Sequence, residues 1–283
     1  MGAGLLSGAE RFLRSRVDCV EIRLLTGRLQ KMTTSGKFLL EPAWILHHYS
    51  YRDSSLLLEV FSREHGRLGL VARGARTSKS RWRGMLQAFR PLLLSWSQRG
   101  ELGTLTGAEP CAGIALPGTR NLMSAWYLNE LLMRLLTRHD PHPRLFAAYE
   151  QALLALDVAE QPTLRVFEKH LLQELGYGLL LDNEAESGLP VVADALYEYR
   201  LQSGPVACDV RRDDGVFLHG SSLLALHAER LDDVTACQEV KHLMRAVLSL
   251  YLGSRPLRTR EVARQMAVSR DGGNAPDAPS SIN

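Results

Sequence analysis

The spacing of apolar residues along this chain changes character once, near Pro117, and that change most limits the fold. Upstream, between 43 and 109, the apolar residues fall into five short runs with strand patterning. They are "AWILHHY" (43–49), "SLLLEVFS" (55–62), "GRLGLVARGA" (66–75), "PLLLSWSQ" (91–98) and "ELGTLTGAE" (101–109). In the second run Glu59 is expected to face outwards. In the third, Leu68, Leu70 and Ala72 alternate with Arg67, Gly69, Val71 and Arg73. Arg99-Gly100 joins the last two runs with a tight-turn signal. Five strands in so short a stretch are too few for a sandwich and fit a five-stranded barrel of the OB type.

Downstream the period is helical. "RNLMSAWYLNELLMRLLTRH" (120–139) carries a broad apolar face and is stopped by Pro141 and Pro143. Helices are predicted at 144–157 and at 162–178, the latter starting at Pro162 and ending at Gly176. Others are predicted at 221–229, 234–252 and 257–268. The class is therefore α+β: an N-terminal OB-fold domain over 41–115 followed by an α-helical domain over 116–270. An acidic, irregular insertion occupies about 179–220, with weak strand signals at 196–202, 205–211 and 215–218. Residues 1–40 read as a flexible N-terminal extension, with Met32 offering the start of a shorter product, and 271–283 as a disordered tail.

Charge is unevenly spread. Residues 1–115 net +8 and residues 116–283 net −5, in a chain of 283 residues that nets +3. The stretch "SREHGRLGLVARGARTSKSRWRG" (62–84) alone nets +6. It runs from the turn after the second strand, through the third, into the long link to the fourth. Arg63, Arg67, Arg73, Arg76, Lys79, Arg81 and Arg83 are candidate phosphate contacts, because a polyanion is the natural partner of such a cluster. Trp82 lies among them, either as a stacking platform for a base or as a cover for one end of the barrel. A solvated Arg-rich loop remains the plainer alternative.

No catalytic constellation is visible: GxSxG and HExxH are absent, and Gly36-Lys37 fails the phosphate-loop pattern on both sides. His47-His48 read as ordinary strand residues and Asp213-Asp214 as part of a turn. Cys19, Cys111, Cys208 and Cys237 are far apart, which argues against zinc and against a disulfide framework. No apolar run is long enough for a membrane span. The expectation is a cytoplasmic binding protein with no cofactor and no metal, not an enzyme.

"YRDSSLLLEVFSREHGRLGLVARGAR", "FRPLLLSWSQRGELGTL", "YLNELLMRLL", "RVFEKHLLQELGYG" and "YLGSRPLRTREVARQM", in that order, resemble the bacterial recombination mediators of the RecO family. The resemblance implies an OB-fold domain, a helical domain and a small zinc-ribbon-like insertion. It implies binding of single- and double-stranded DNA, annealing of complementary strands, and, with RecR, help in loading RecA onto DNA coated by single-stranded-DNA-binding protein (SSB). A nucleoid-associated location goes with that role. The chain departs from the pattern where zinc-bearing members carry two CxxC pairs: "LLLDNEAESGLP" (179–190) and "GVFLHGSSLLAL" (215–226) hold no cysteine. Some members hold the acidic, apolar-tipped C-terminal tail of SSB on the helical domain. Here Leu243, Val247, Leu250 and Tyr251 form a stripe with Lys241, Arg245, Arg255, Arg258 and Arg260 nearby, and Arg258 and Arg260 are the candidate tail contacts. The competing reading is a non-enzymatic protein adaptor whose OB module does not bind DNA.

Overall fold

The structure is a computed structural model that describes residues 36–111, 118, 121–212 and 214–271. The expected extension, up to residue 35, and the expected tail beyond 271 lie outside the described residues, as does Asp213. Five strands close a barrel: β1 (Lys37–Tyr51), β2 (Ser55–Ser62), β3 (Gly66–Ala72), β4 (Pro91–Gln98) and β5 (Leu102–Pro110), in the order β1-β2-β3-β5-β4. All neighbours are antiparallel except β3 and β5. Residues 37–40 are thus part of β1 and not of an extension.

β1 is long because it serves two partners. Lys37–Trp44 pair with β4, and Ala43–Tyr51 pair with β2. A bulge between Ile45 and His47 shifts the alternation of its side chains. Ala43 and Ile45 point into the barrel with Leu58, Val60, Leu68, Leu70, Leu92, Leu94 and Trp96. Trp44 and Leu46 point out and join Phe61 in the core of the helical domain.

That domain comprises α1 (Leu122–Leu135), α2 (Pro143–Ala155), α3 (Glu160–Glu174), α4 (Gly220–His227), α5 (Val234–Leu252) and α6 (Arg258–Asp271). The insertion folds as a three-stranded sheet, β7-β6-β8, of β6 (Leu196–Arg200), β7 (Gly204–Ala207) and β8 (Phe217–His219). Local signals set several ends. Pro143 opens α2, Asp233 caps α5 by accepting from the Ala236 amide at 2.7 Å, and Gly253 beyond α5 has a φ of 69°.

Barrel and helices share one interface. Trp44 meets Tyr149 edge-on at 5.6 Å, and Phe61 lies 5.5 Å from Phe146. Buried Asn129 donates to the Leu46 carbonyl at 2.8 Å and accepts from the Tyr149 hydroxyl, so the carbonyl at the bulge is not left orphaned. Helix α1 stops at Leu135, short of the 139 expected from its period. The next residues run beside β3 instead: the His139 amide donates to the Arg67 carbonyl at 2.9 Å. Gly66 makes this approach possible. Its φ is 63°, and a Cβ there would stand 1.9 Å from the Asp140 carbonyl oxygen.

Glu59 does not face solvent as its strand pattern suggested. At Glu59 the outer face of β2 is covered by the helical domain, and the buried carboxylate takes Arg67 Nε at 3.2 Å and the Arg138 guanidinium.

Candidate functional site

The link from β3 to β4 is a succession of turns. The amides of Thr77, Ser80, Arg83 and Met85 each donate to a carbonyl three residues back. Trp82 fastens it. The indole is 6% exposed, packs with Leu86 in the barrel core, and donates from Nε1 to the Arg73 carbonyl at 3.3 Å. Trp82 therefore plugs the barrel and offers no face for a base; the outer side of its ring carries Arg81, 4.1 Å from the centroid. Arg81 also donates to the Thr106 carbonyl at 3.1 Å, and Arg76 to the Arg52 carbonyl at 3.2 Å. These bonds tie the link to β5 and to the β1–β2 turn.

The side chains of Arg73, Lys79 and Arg83 are exposed and are not drawn into the hydrogen bonds that tie down Arg76 and Arg81. With Arg76 and Arg81 they give the β3–β4 link five exposed cations. Arg63 and Arg67 are not part of this group. Arg67 lies about 20 Å of extended chain before Arg73 along β3, and Arg63 lies further back, before the strand. Half-buried Arg63 pairs with Glu64 at 3.6 Å, in the β2–β3 turn. Arg67 is committed to the domain interface, where it donates to the carbonyls of Met133 and Leu136 as well as to Glu59. Its charge holds two domains together and does not face a phosphate.

A second site lies in the helical domain. A cleft of about 150 Å³ opens between α1, α3, α5 and α6, lined by Met123, Tyr127, Leu164, Arg165, Lys241, Arg245, Arg260 and Ala263 among others. Four cations and an apolar floor thus meet in one small cavity. Glu130 and Arg134 of α1 position the segment that supplies Arg260. Glu130 accepts from the amides of Arg258 and Thr259 at 2.8 and 3.0 Å, and Arg134 donates to the carbonyls of Leu252, Arg255 and Pro256. Arg260 lies 5.5 Å from the Tyr127 ring centroid and donates to its hydroxyl at 3.2 Å. Arg258, the other expected tail contact, is exposed and does not line the cleft. Of the apolar stripe, Leu243 and Val247 are core, Tyr251 stacks on Tyr177 at 4.0 Å, and Leu250 is exposed.

Sequence reading missed Arg165, Glu168 and Tyr127 at this cleft. Arg165 is 4% exposed and Glu168 fully buried, and they pair at 2.9 Å. The Tyr127 hydroxyl donates to Glu168 at 2.6 Å. Burial pushes the Glu168 carboxyl above its ordinary range, opposed by the Arg165 guanidinium and the Tyr127 hydrogen bond. Burial, followed by Glu168, pushes the Tyr127 phenol up. Burial also lowers Lys241, with Arg245 and Arg165 adding to it and Glu160 opposing it. The available signal was a charged pair at i and i+3 among Leu164, Phe167 and Leu171 on the core side of α3.

The insertion does not fit a zinc ion. Among the described residues no group of three or more His, Cys, Asp or Glu could hold a metal, and Cys208 and Cys237 are free. Hydrogen bonds tie the loop before β6 to the sheet instead. Buried Tyr197 accepts from the Val192 amide at 2.9 Å and donates to Glu184 at 3.3 Å. Glu239 of α5 takes the His219 amide at 2.9 Å, the Ser222 hydroxyl at 2.8 Å and Arg211 at 2.5 Å, which fixes β8 to the helices. No helix among the described residues is long and apolar enough to cross a membrane.

Two family descriptions match the chain: "Recombination protein O N terminal" over 38–114 and "Recombination protein O C terminal" over 119–261. Curated relatives named DNA repair protein RecO align over most of their own length. The relative from Alkalilimnicola ehrlichii is 48% identical over 237 residues, 83% of this chain and 94% of its own. That from Dechloromonas aromatica is 43% identical over 240 residues, 83% of this chain and 99% of its own. That from Methylococcus capsulatus is 45% identical over 232 residues, 81% of this chain and 94% of its own. A closed five-stranded barrel on a helical domain, matched in both halves and at this identity, means that the chain belongs to the RecO family.

Proposed function

We propose that this protein is a DNA-binding recombination mediator in DNA repair. It binds single- and double-stranded DNA, anneals complementary strands and, with RecR, helps load RecA onto SSB-coated DNA. The observation that carries this reading is the anchored link with its outward cations, Arg73, Lys79 and Arg83. Annealing follows from such a surface without covalent chemistry. Cations lower the repulsion between two polyanions and hold both at high local concentration. The reading assigns no catalytic residue, no cofactor and no metal, and puts the protein in the cytoplasm at the nucleoid.

Its test is annealing of complementary oligonucleotides coated with SSB. The intact protein is expected to accelerate pairing, and the acceleration should fade steeply as salt rises. An adaptor without DNA contact would show no binding to oligo-dT even at low salt.

The cleft is the proposed seat of the SSB tail, because an acidic peptide tipped with an apolar residue needs cations around an apolar floor. Arg260 lines it and Arg258 does not. Arg260→Glu is therefore expected to weaken a labelled tail peptide at least tenfold in fluorescence anisotropy, and Arg258→Glu by much less. Equal affinity of Arg260→Glu and wild type would move the tail elsewhere.

A further inference from the structure

The bulge in β1 has a consequence on the outer face of the barrel. Without it, the outward alternation of Trp44 and Leu46 would continue through His48 and Ser50. With it, His47 comes opposite Glu59, Tyr49 opposite Leu57 and Tyr51 opposite Ser55, on the outward side. Leu57 in turn lies opposite Val71 of β3. Tyr49 is 45% exposed on this face, and Leu57, Val71 and Tyr51 are half-exposed. The aromatic rings form a row anchored at one end. Tyr49 meets His47 edge-on at 4.5 Å, His47 meets Trp126 at 5.9 Å, and Trp126 meets buried Phe89 at 4.9 Å. At the free end the Arg52 guanidinium lies 5.3 Å from the Tyr51 ring centroid.

Cations rim this face where the row ends. Arg52 is exposed in the β1–β2 turn, Arg76 bonds to its carbonyl, and Arg73 follows the end of β3. Glu59, the carboxylate nearest His47, is already held by Arg67 and Arg138. Exposed Asp53 in the β1–β2 turn and Glu101 in the β4–β5 turn are the acids in the two flanking turns. In OB barrels the face of strands two and three, with those two turns, is where oligonucleotides lie. Every base has a π-face, so exposed tyrosines beside phosphate-binding cations select unpaired strands over duplex.

We propose that Tyr49 and Tyr51 form a base-stacking platform for single-stranded DNA on the outer face of β1–β2–β3, the role that buried Trp82 cannot fill. This rests on the DNA-binding reading above and adds a preference to it: the cations hold any strand, and the tyrosines hold bases that are free to stack. The test uses the full chain and three labelled probes: oligo-dT, the same backbone with abasic sites, and a duplex. Tyr49→Ala/Tyr51→Ala is expected to bind oligo-dT more weakly by roughly thirtyfold or more. Its duplex affinity and the slope of log affinity against log salt should be unchanged. Tyr49→Phe/Tyr51→Phe should bind as wild type does, because stacking needs the ring and not the hydroxyl. Wild type should bind the abasic strand about as weakly as the alanine variant binds oligo-dT. Undiminished binding of oligo-dT by the alanine variant, or equal wild-type affinity for the abasic strand and oligo-dT, overturns the platform and leaves the cationic site standing. Failure of wild type to bind any of the three overturns both.

Discussion

Replacing Arg73, Lys79 and Arg83 together with alanine is expected to weaken binding of single-stranded DNA on the order of a hundredfold at about 0.1 M salt. The figure follows from counterion release: each cation withdrawn from a phosphate flattens the slope of log affinity against log salt by roughly 0.7, so withdrawing three takes about 2 from it. These three are chosen because their side chains are exposed, whereas those of Arg76 and Arg81 also pin the link to its neighbours. Their removal should leave the unfolding free energy within about 0.5 kcal/mol of wild type, the usual range for surface changes. The measurement is a salt titration of binding to labelled oligo-dT beside a denaturant melt. An unchanged slope in a folded variant would mean that the strand runs elsewhere. Arg67→Ala should behave in the opposite way, losing stability through a buried Glu59 left with Arg138 alone and uncovered carbonyls at the domain interface.

The contrast between Arg67 and Arg73 shows what a sequence can and cannot convey. Strand and helix were legible because periodicity is local: Leu68, Leu70 and Ala72 alternate into the barrel, and Asp233 and Pro143 mark helix starts by their own chemistry. Which arginine is free depends on what arrives from far along the chain. Arg67 is occupied by carbonyls 66 and 69 residues away, and nothing within its own strand announces them. Trp82 is similar, since its burial depends on where strands distant in sequence close the barrel. The bulge between Ile45 and His47 is a third case. One extra residue reverses the alternation beyond it, and so puts Tyr49 on an outer face that strict alternation from Trp44 would have denied it. Arg260 could be singled out because the charge reverses sign after residue 240. Arg165 could not, because a charge inside an apolar helix face gives no sign of the cavity it borders.

Arg165 also carries the largest stability effect expected in the helical domain. Arg165→Met keeps an apolar stem of similar reach to Nε but removes the guanidinium that faces fully buried Glu168. Removing one partner of a buried pair typically costs about 3–5 kcal/mol, because the remaining charge keeps its desolvation penalty without its counterpart. Tyr127 still donates one hydrogen bond to Glu168, which is less than a full counter-charge provides. The expected result is a large loss in unfolding free energy by denaturant melt, and its pH dependence identifies the cause. Burial already raises the Glu168 carboxyl above its unfolded value, and loss of Arg165 raises it further. A group with a raised folded pKa supports the fold most fully below its unfolded pKa, and that support is lost as pH rises through the folded value. The deficit of Arg165→Met should therefore be small in mild acid, where Glu168 is protonated, and grow towards neutral pH. Glu168→Gln added to Arg165→Met should recover most of the loss at neutral pH, since an amide oxygen still accepts from Tyr127 and nothing charged is left buried. A deficit that is flat with pH and not recovered by the second change would mean that Arg165 acts by filling space.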